Sequence, residues 1–474
     1  MGITVLRHLL FGYDDFIIAY FVVMNSLYFV MYLISLFTIR KRMAFSRYGR
    51  EQFHSHFAQP ISLLVPAYNE QASIVQSVRS LLLLEYPQHE VIVVNDGSKD
   101  ATLQALIDAY ALSVTREQVP GRLPSMPIRG IYRSARYPSL VVVDKENGGK
   151  ADALNASINV SSYPLVCAID ADSIIEQDAL LKLSWPFYYD SERMIAAGGT
   201  VRIANDSVID AGRLKVLHLP RKWIVRIQVV EYLRSFLLGR VGTNQMGMLL
   251  IISGAFGLFK KEAVVEVGGY QRNSIGEDME LVVRLHHHYR KHRIPYKMEF
   301  VSDAVCWTEA PEDIMTLRKQ RNRWHRGMID SLRSHAVMFL NPRYGVIGLA
   351  AFPFFVIFEL FGPVVELIGY IVCPLACVFG YINAPMFVLF LLVAVLYSML
   401  LSFSAVLVDE ICFHRYAKVS EVLYEFAASV LENIGYRQAA SLWRLMAFFD
   451  YFRGNHAWGE MARKGFTEGT SKTM

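Results

Sequence analysis

A chain of 474 residues with 53% hydrophobic residues and a mean hydropathy of +0.27 is long enough for a sizeable globular domain and too apolar to be that alone. A formal net charge of +5 is too weak and too dispersed for a nucleic-acid binder, and suits a protein lying against an anionic membrane leaflet. Five cysteines (Cys167, Cys306, Cys373, Cys377, Cys412) make no CxxC pair and no metal-ligand spacing, which excludes a disulfide framework or a zinc site.

Phe16 to Ile39 is an almost unbroken apolar run closed by Arg40, Lys41 and Arg42. It is long enough to cross a hydrocarbon core of about 30 Å. Basic residues after the run, with no small-residue cleavage site, argue for a retained span rather than a signal peptide. The positive-inside bias places Arg40 onward in the cytosol.

The next stretch alternates two periodicities. Ile61 to Pro66, Glu90 to Val94, Leu140 to Val143 and Leu165 to Ile169 are short aliphatic runs followed by turn residues, as in the buried strands of a parallel sheet. Ala72 to Leu84, Ala101 to Ala111 and Ala151 to Ile158 between them read as amphipathic helices. Repeated βαβ units give an α/β fold with a mostly parallel sheet, and ligands gather beyond the carboxyl ends of such strands, where Asn69, Asp96, Lys150 and Asp170 fall.

The first strand leads into Val65-Pro66-Ala67-Tyr68-Asn69-Glu70, and the second into Asn95-Asp96-Gly97-Ser98. A carboxylate at such a turn accepts hydrogen bonds from ribose hydroxyls or a uracil N–H. Capping of the following helix by Asp96 and Ser98 fits the same residues. Gly148-Gly149-Lys150 is not a P-loop, since Asp144 stands where its first glycine belongs and Ala151 replaces its Ser or Thr; Lys150 remains suited to a nucleotide's base or phosphates. Asp170-Ala171-Asp172 follows the fourth strand, and on extended chain both carboxylates would face one way, a hard-oxygen site for Mg²⁺ or Mn²⁺ shared with a diphosphate.

Arg221 to Arg240 and Leu317 to Phe339 mix large apolar residues with many arginines and read as amphipathic helices at the membrane interface or on the globular core. Gly276-Glu277-Asp278-Met279-Glu280 opens another helix, where acids suit the N-terminus; one of them also fits a general base for an acceptor hydroxyl. His286-His287-His288 cannot converge on one ion, because consecutive helical positions lie about 100° apart. Gln320-Arg321-Asn322-Arg323-Trp324 offers a guanidinium for a departing diphosphate and an aromatic face for a sugar.

A second apolar block, about Gly345 to Val408, is interrupted by Pro353, Pro363, Pro374 and Asn383-Ala384-Pro385, leaving room for two or three spans. Glu359 and Glu366 within it imply a broken or interfacial segment, or a span facing a watery cavity. Beyond it, Arg437, Arg444, Arg453, Arg463 and Lys464 among Tyr436, Trp443, Phe448, Phe449 and Trp458 read as further interfacial helix.

In this order, the Pro66 to Glu70 opening, Asp96, Lys150, Asp170 with Asp172, Ser253-Gly254-Ala255-Phe256-Gly257, Glu277 with Asp278, and Gln320, Arg323 and Trp324 resemble the processive family 2 glycosyltransferases, the synthases of cellulose, hyaluronan, chitin and poly-N-acetylglucosamine. The resemblance implies a GT-A nucleotide-sugar-binding domain and an inverting transfer from a UDP-sugar to the end of a growing β-linked polysaccharide, with Mg²⁺ or Mn²⁺. By position it makes Asp278, beside Glu277, the base, and Asp172 with Asp170 the metal ligands. Pro66, Tyr68, Glu70, Asp96, Lys150, Asp170 and Arg323 would hold the nucleotide sugar; Ser253, Gly254, Ala255, Phe256, Gln320 and Trp324 would meet the acceptor.

The expected organisation is a transmembrane helix at 1–44, a cytoplasmic GT-A domain with its interface helices at 45–343, transmembrane helices at 344–410 and an interfacial helical region at 411–474. The expected location is a plasma (inner) membrane, with membrane lipid, a second copy or an export partner as further company and no nucleic acid. Two departures stand out. One apolar run before the catalytic region is fewer than cellulose and hyaluronan synthases carry, and Gly276 stands where many members have Thr or Ser. Transfer of a single sugar to a lipid carrier or glycolipid is the alternative reading.

Overall fold

The computed structural model describes residues 2–49, 58–117, 119–210 and 213–454. Arg463, Lys464 and Trp458 of the expected C-terminal basic region lie outside these. In chain order the strands are β1 (Ile61–Ala67), β2 (His89–Asp96), β3 (Ser113–Thr115), β4 (Ile128–Arg133), β5 (Leu140–Lys145), β6 (Leu165–Ala168), β7 (Ile174–Ile175), β8 (Met194–Ile203), β9 (Val208–Asp210), β10 (Arg213–Val216), β11 (Gly257–Lys260) and β12 (Lys297–Thr308). Ten form one mixed sheet in the order β3-β4-β5-β2-β1-β6-β11-β8-β12-β7.

The four runs legible in the sequence, β5, β2, β1 and β6, are parallel neighbours. Their side chains alternate between two cores: Leu64, Ile92, Val94, Val141 and Val143 face one way, and Leu63, Val65, Val91, Val93 and Val142 the other. Burial on both faces is why these strands read as continuous apolar runs. Helices Ile74–Leu82, Thr102–Tyr110 and Lys150–Val160 follow β1, β2 and β5, as the sequence predicts. Register sets Ala67 beside Asn95, and Asn95 beside Asp144, so the carboxyl ends share one edge. Beyond β6 the sheet changes character: β11 runs antiparallel to both β6 and β8, and β8 pairs parallel with β12.

Among the described residues, three helices are long and apolar enough to cross a membrane: Asp15–Met43, Ile347–Val378 and Ala384–Phe413, with mean hydropathies of 2.0, 2.0 and 2.6. Two therefore follow residue 344 among the described residues. The first of these two is irregular, passing through π-helical turns and a break at Phe361 before Pro363. Its acids are matched within the protein. Glu366 accepts from Arg437 at 2.7 Å and Ser441 at 2.9 Å, and Glu359 accepts from Tyr28. Glu432, on the helical stretch after the last span, accepts from Arg234 at 2.6 Å and Ser402 at 2.8 Å. Arg202 of β8 reaches Asp409 of the last span at 3.1 Å, joining sheet to membrane helix.

Of the two basic amphipathic segments, the first is helix Trp223–Tyr232, which continues through a π-helical stretch, Leu233–Gly239, into Arg240–Gln245. The second is helix Ile314–Ser334, opened by Asp313, whose side chain accepts from Thr316 N. It packs along Arg437–Phe452, burying Leu317 against Ala440 and Trp443.

Candidate active site

The edge of the parallel strands is organised by a buried charge network. Asp96 does not cap the following helix, whose N-cap is Ala101; Asp100 just before it accepts from Thr102 N at 3.0 Å, while Ser98 accepts from Asn69 N. Asp96 instead accepts from Lys145 Nζ at 2.5 Å, Gly148 N at 3.0 Å and Gly149 N at 2.8 Å. Lys145 is fully buried and also pairs with Asp152 at 2.6 Å, which in turn pairs with Arg272 at 2.7 Å. The glycines are needed there: a Cβ on Gly148 would fall 2.5 Å from Asp152, and Gly149 has φ +87°. The network thus fixes the loop that delivers Lys150. Pro66, Tyr68 and Glu70 lie at the end of β1 beside it, with Tyr68 exposed and Glu70 accepting from Ser73 Oγ at 2.9 Å.

Lys150 is where separate motifs meet. Its ammonium lies 2.5 Å from Asp170 and 3.4 Å from Glu277. Burial alone would lower its pKa, but Asp170 and Glu277 outweigh burial and hold it above the ordinary lysine value. Burial pushes the Glu277 carboxyl up, opposed by Lys150 and reinforced by Asp278. Asp278 accepts from Gly254 N at 3.2 Å and from Met279 N at 2.8 Å. A Cβ on Gly254 would crowd both Lys150 Nζ, at 3.2 Å, and Asp278 Cβ, at 3.3 Å.

The expected side-by-side carboxylates are rearranged. Asp170-Ala171-Asp172 lies on a turn closed by Ser173 N to Asp170 O at 3.0 Å, not on extended chain. Asp170 lines the cavity below, whereas Asp172 is only 6% exposed and lies off that wall. Both remain hard-oxygen donors at the strand end. No group of three or more His, Cys, Asp or Glu side chains converges among the described residues. An ion shared with a diphosphate needs only one or two protein carboxylates, because phosphate and water supply the rest. The donor set fits such an ion, with Asp170 already facing a cation in Lys150.

The helix Glu277–His292 begins against Ile314–Ser334 at a glycine contact. A Cβ on Gly327 would lie 2.9 Å from Gly276 Cα. Gly276 thereby has a packing reason for lacking the usual Thr or Ser side chain. Close approach brings Glu277 and Asp278 to one cavity with Gln320, Arg323 and Trp324. Trp324 stands in an aromatic group, 5.8 Å from Phe236 and 6.3 Å from Tyr232, with Arg321 over its ring at 4.4 Å. Arg321 is buried; it donates to Gln320 at 2.6 Å and to Glu231 at 2.7 Å, and Tyr436 donates to Glu231 at 2.7 Å. Burial would raise the Glu231 pKa, but Arg321 holds it below the usual carboxylate value. Sequence reasoning missed Glu231, Arg321 and Gly327; Arg321 lay inside the Gln320–Trp324 motif and was the one with a local signal.

Ser253, Gly254 and Ala255 also line this cavity, whereas Phe256 is fully buried in the core, where its ring fills the space beside Gly199. The cavity has a volume of about 750 Å³ and is continuous from Asp170 to Tyr28, Glu359 and Glu366 on the membrane helices. Acids at the carboxyl ends of parallel strands thus open onto a cavity that reaches three membrane-length helices, the place where such a sheet gathers its ligands.

Comparison with known proteins agrees. The family described as glycosyl transferase family group 2 matches residues 165–407, and glycosyl transferase family 2 matches residues 62–121. The poly-beta-1,6-N-acetyl-D-glucosamine synthase of Staphylococcus aureus (strain COL) is 30% identical over 343 residues, covering 72% of this chain and 70% of the relative. Its Staphylococcus epidermidis counterpart is 31% identical over 318 residues, covering 65% and 64%. A mannosyltransferase structure from Pyrobaculum calidifontis overlaps 93% of this chain and 99% of its own, at 14% identity and a TM-score of 0.49. This chain belongs to glycosyl transferase family 2.

Proposed function

We propose that the protein transfers N-acetylglucosamine from UDP-N-acetylglucosamine to the end of a growing β-linked polysaccharide at the cytoplasmic face of a plasma (inner) membrane, and passes the product between its own membrane helices. The sugar and the polymer are taken from the name of the Staphylococcus relatives. The observation that carries the reading is the continuous cavity holding Asp170, Glu277, Asp278 and Trp324 at one end and Glu359 and Glu366 at the other. A transferase that merely released a soluble product would have no use for the second half.

In this reading Asp278 accepts the proton of the acceptor hydroxyl as its oxygen attacks C1 of the donor. The C1–O bond to the diphosphate breaks on the opposite face, so an α-linked donor gives a β-linkage and UDP leaves with the bonding pair. Lys150 and Arg323 would meet the charge that develops on the leaving diphosphate, and Asp170 and Asp172 would hold a Mg²⁺ or Mn²⁺ that neutralises the rest. Gln320 and Trp324 hold the acceptor sugar, with Ser253, Gly254 and Ala255 lining the same cavity. Pro66, Tyr68, Glu70 and Asp96 form or brace the nucleotide side. Residues 45–343 are the cytoplasmic catalytic domain, 1–44 and 344–410 the spans, and 411–474 the interfacial region; a second copy or an export partner is a natural addition.

Loss of a general base costs about 10²–10⁴-fold. Asp278→Asn is therefore expected to reduce transfer at least about 10²-fold with UDP affinity within a few-fold, as read by UDP release and by UDP titration. Retained turnover would remove Asp278 as the base.

A further inference from the structure

Three cavity arginines have carboxylate partners: Arg234 with Glu432 at 2.6 Å, Arg321 with Glu231 at 2.7 Å and Arg437 with Glu366 at 2.7 Å. Arg240 lines the same cavity without one. Among the described residues no carboxylate comes within ion-pair distance of it, and its Nη1 is sealed from solvent with no hydrogen-bond partner. Burial pulls its pKa down to about 10 despite the opposing charge of Asp278. An enclosed guanidinium with an unused donor is expensive unless a ligand completes it.

Its surroundings say which ligand. The guanidinium stacks on Phe236 at 4.3 Å, which leaves its N–H edge, lying in the guanidinium plane, available to a neighbour. Phe236 in turn meets Tyr232 at 4.5 Å and Trp324 at 5.8 Å. A row of aromatic rings beside in-plane donors and a carboxylate matches a pyranose: rings cover its C–H face, the guanidinium meets its oxygens and the carboxylate takes a hydroxyl proton. An anion is the other ligand a guanidinium suits, but in the reading above Lys150 and Arg323 already serve the diphosphate, while the carboxylate acting on Arg240 is Asp278.

Resting on the glycosyl-transfer reading above, we propose that Arg240 binds the terminal sugar of the acceptor, donating to one of its hydroxyl or acetamido oxygens and so aligning the attacking hydroxyl with Asp278. The full chain in lipid nanodiscs, with UDP-N-acetylglucosamine as donor and a β-1,6-linked N-acetylglucosamine pentamer as acceptor, provides the test. R240Q is expected to raise the KM for the pentamer at least tenfold while the KM for the donor changes less than threefold. The preserved donor constant also shows that the domain is folded. R240K, which keeps the charge and loses the fork, is expected to fall between wild type and R240Q, and gives the same split should R240Q fail to fold. A donor KM that rises as much as the acceptor KM would instead make Arg240 a diphosphate contact and overturn the proposal. An unchanged acceptor KM beside normal wild-type turnover overturns the role of Arg240 alone. Wild-type protein that transfers no sugar to the pentamer overturns the underlying reading as well.

Discussion

The two ends of the cavity solve opposite electrostatic problems. At the sheet end Lys150 lies among three carboxylates, Asp170, Glu277 and Asp278, and Arg323 and Arg240 also act on Glu277 and Asp278, so charge there is shared rather than paired. At the membrane end two acids are paired one to one, Glu366 with Arg437 and Glu432 with Arg234, while Glu359 accepts from the Tyr28 hydroxyl. An unmatched charge is tolerable beside water and a bound cation, and costly among apolar helices. In the proposed reading, shared charge accompanies the chemistry, and paired charge lines the polar surface along which a neutral polymer would slide. Arg240 stands at the junction of the two.

The largest expected effect breaks the geometry of the sheet end without touching its charges. Gly327→Val puts a side chain into the backbone of Gly276 and displaces Glu277 and Asp278, and misplacement by about 1 Å costs on the order of 10²-fold in rate. Initial rates of UDP release should fall by that amount, while Gly327→Ala should be milder.

A second variant acts on the membrane end. Glu366→Leu leaves Arg437 buried and unmatched, a loss of about 3–5 kcal/mol in stability. Thermal unfolding in detergent should show it, and gel filtration of the product should show shorter chains at nearly normal UDP release. Equal loss of both would erase the distinction between the ends.

The smallest effect concerns the scaffold between them. His286 is buried, with Nε2 2.7 Å from the Leu249 carbonyl and Nδ1 2.6 Å from the Tyr296 hydroxyl, and burial lowers its pKa to about 4. The unfolded chain takes up this proton near pH 6.5 and the folded chain only near 4, so stability falls as pH drops through that window and is flat above it. The contribution is about 1.4 kcal/mol per pH unit. His286→Gln should remove that much slope from unfolding free energies measured between pH 4.5 and 6.5.

The parallel half of the sheet could be read in advance because β1, β2, β5 and β6 are buried on both faces and so are written as aliphatic runs. The other half could not. In β8, Gly198 and Gly199 are small because Ile252 and Phe256 fill the space above them, so the strand lacks the pattern that its position would otherwise impose. For the site, residues with local signatures were legible: Asp170, Glu277, Asp278 and Trp324 do share a cavity. What escaped was set by tertiary distance. The Asp170 to Asp172 stretch is a turn rather than extended chain, the Gly276–Gly327 contact joins helices far apart in sequence, and Phe256 lies in the core rather than on the wall. Lys145 and Asp152 were invisible because a buried ion pair has no sequence period.

The central claim is that one cavity both makes the bond and leads the product into the membrane. Protein in sealed vesicles, with UDP-N-acetylglucosamine supplied only on the side of the catalytic domain, tests it directly through the size and location of the labelled product. The account predicts long chains inside the vesicle, protected from added glycosidase until detergent opens it. A single labelled sugar on lipid, or polymer wholly accessible on the donor side, would contradict it.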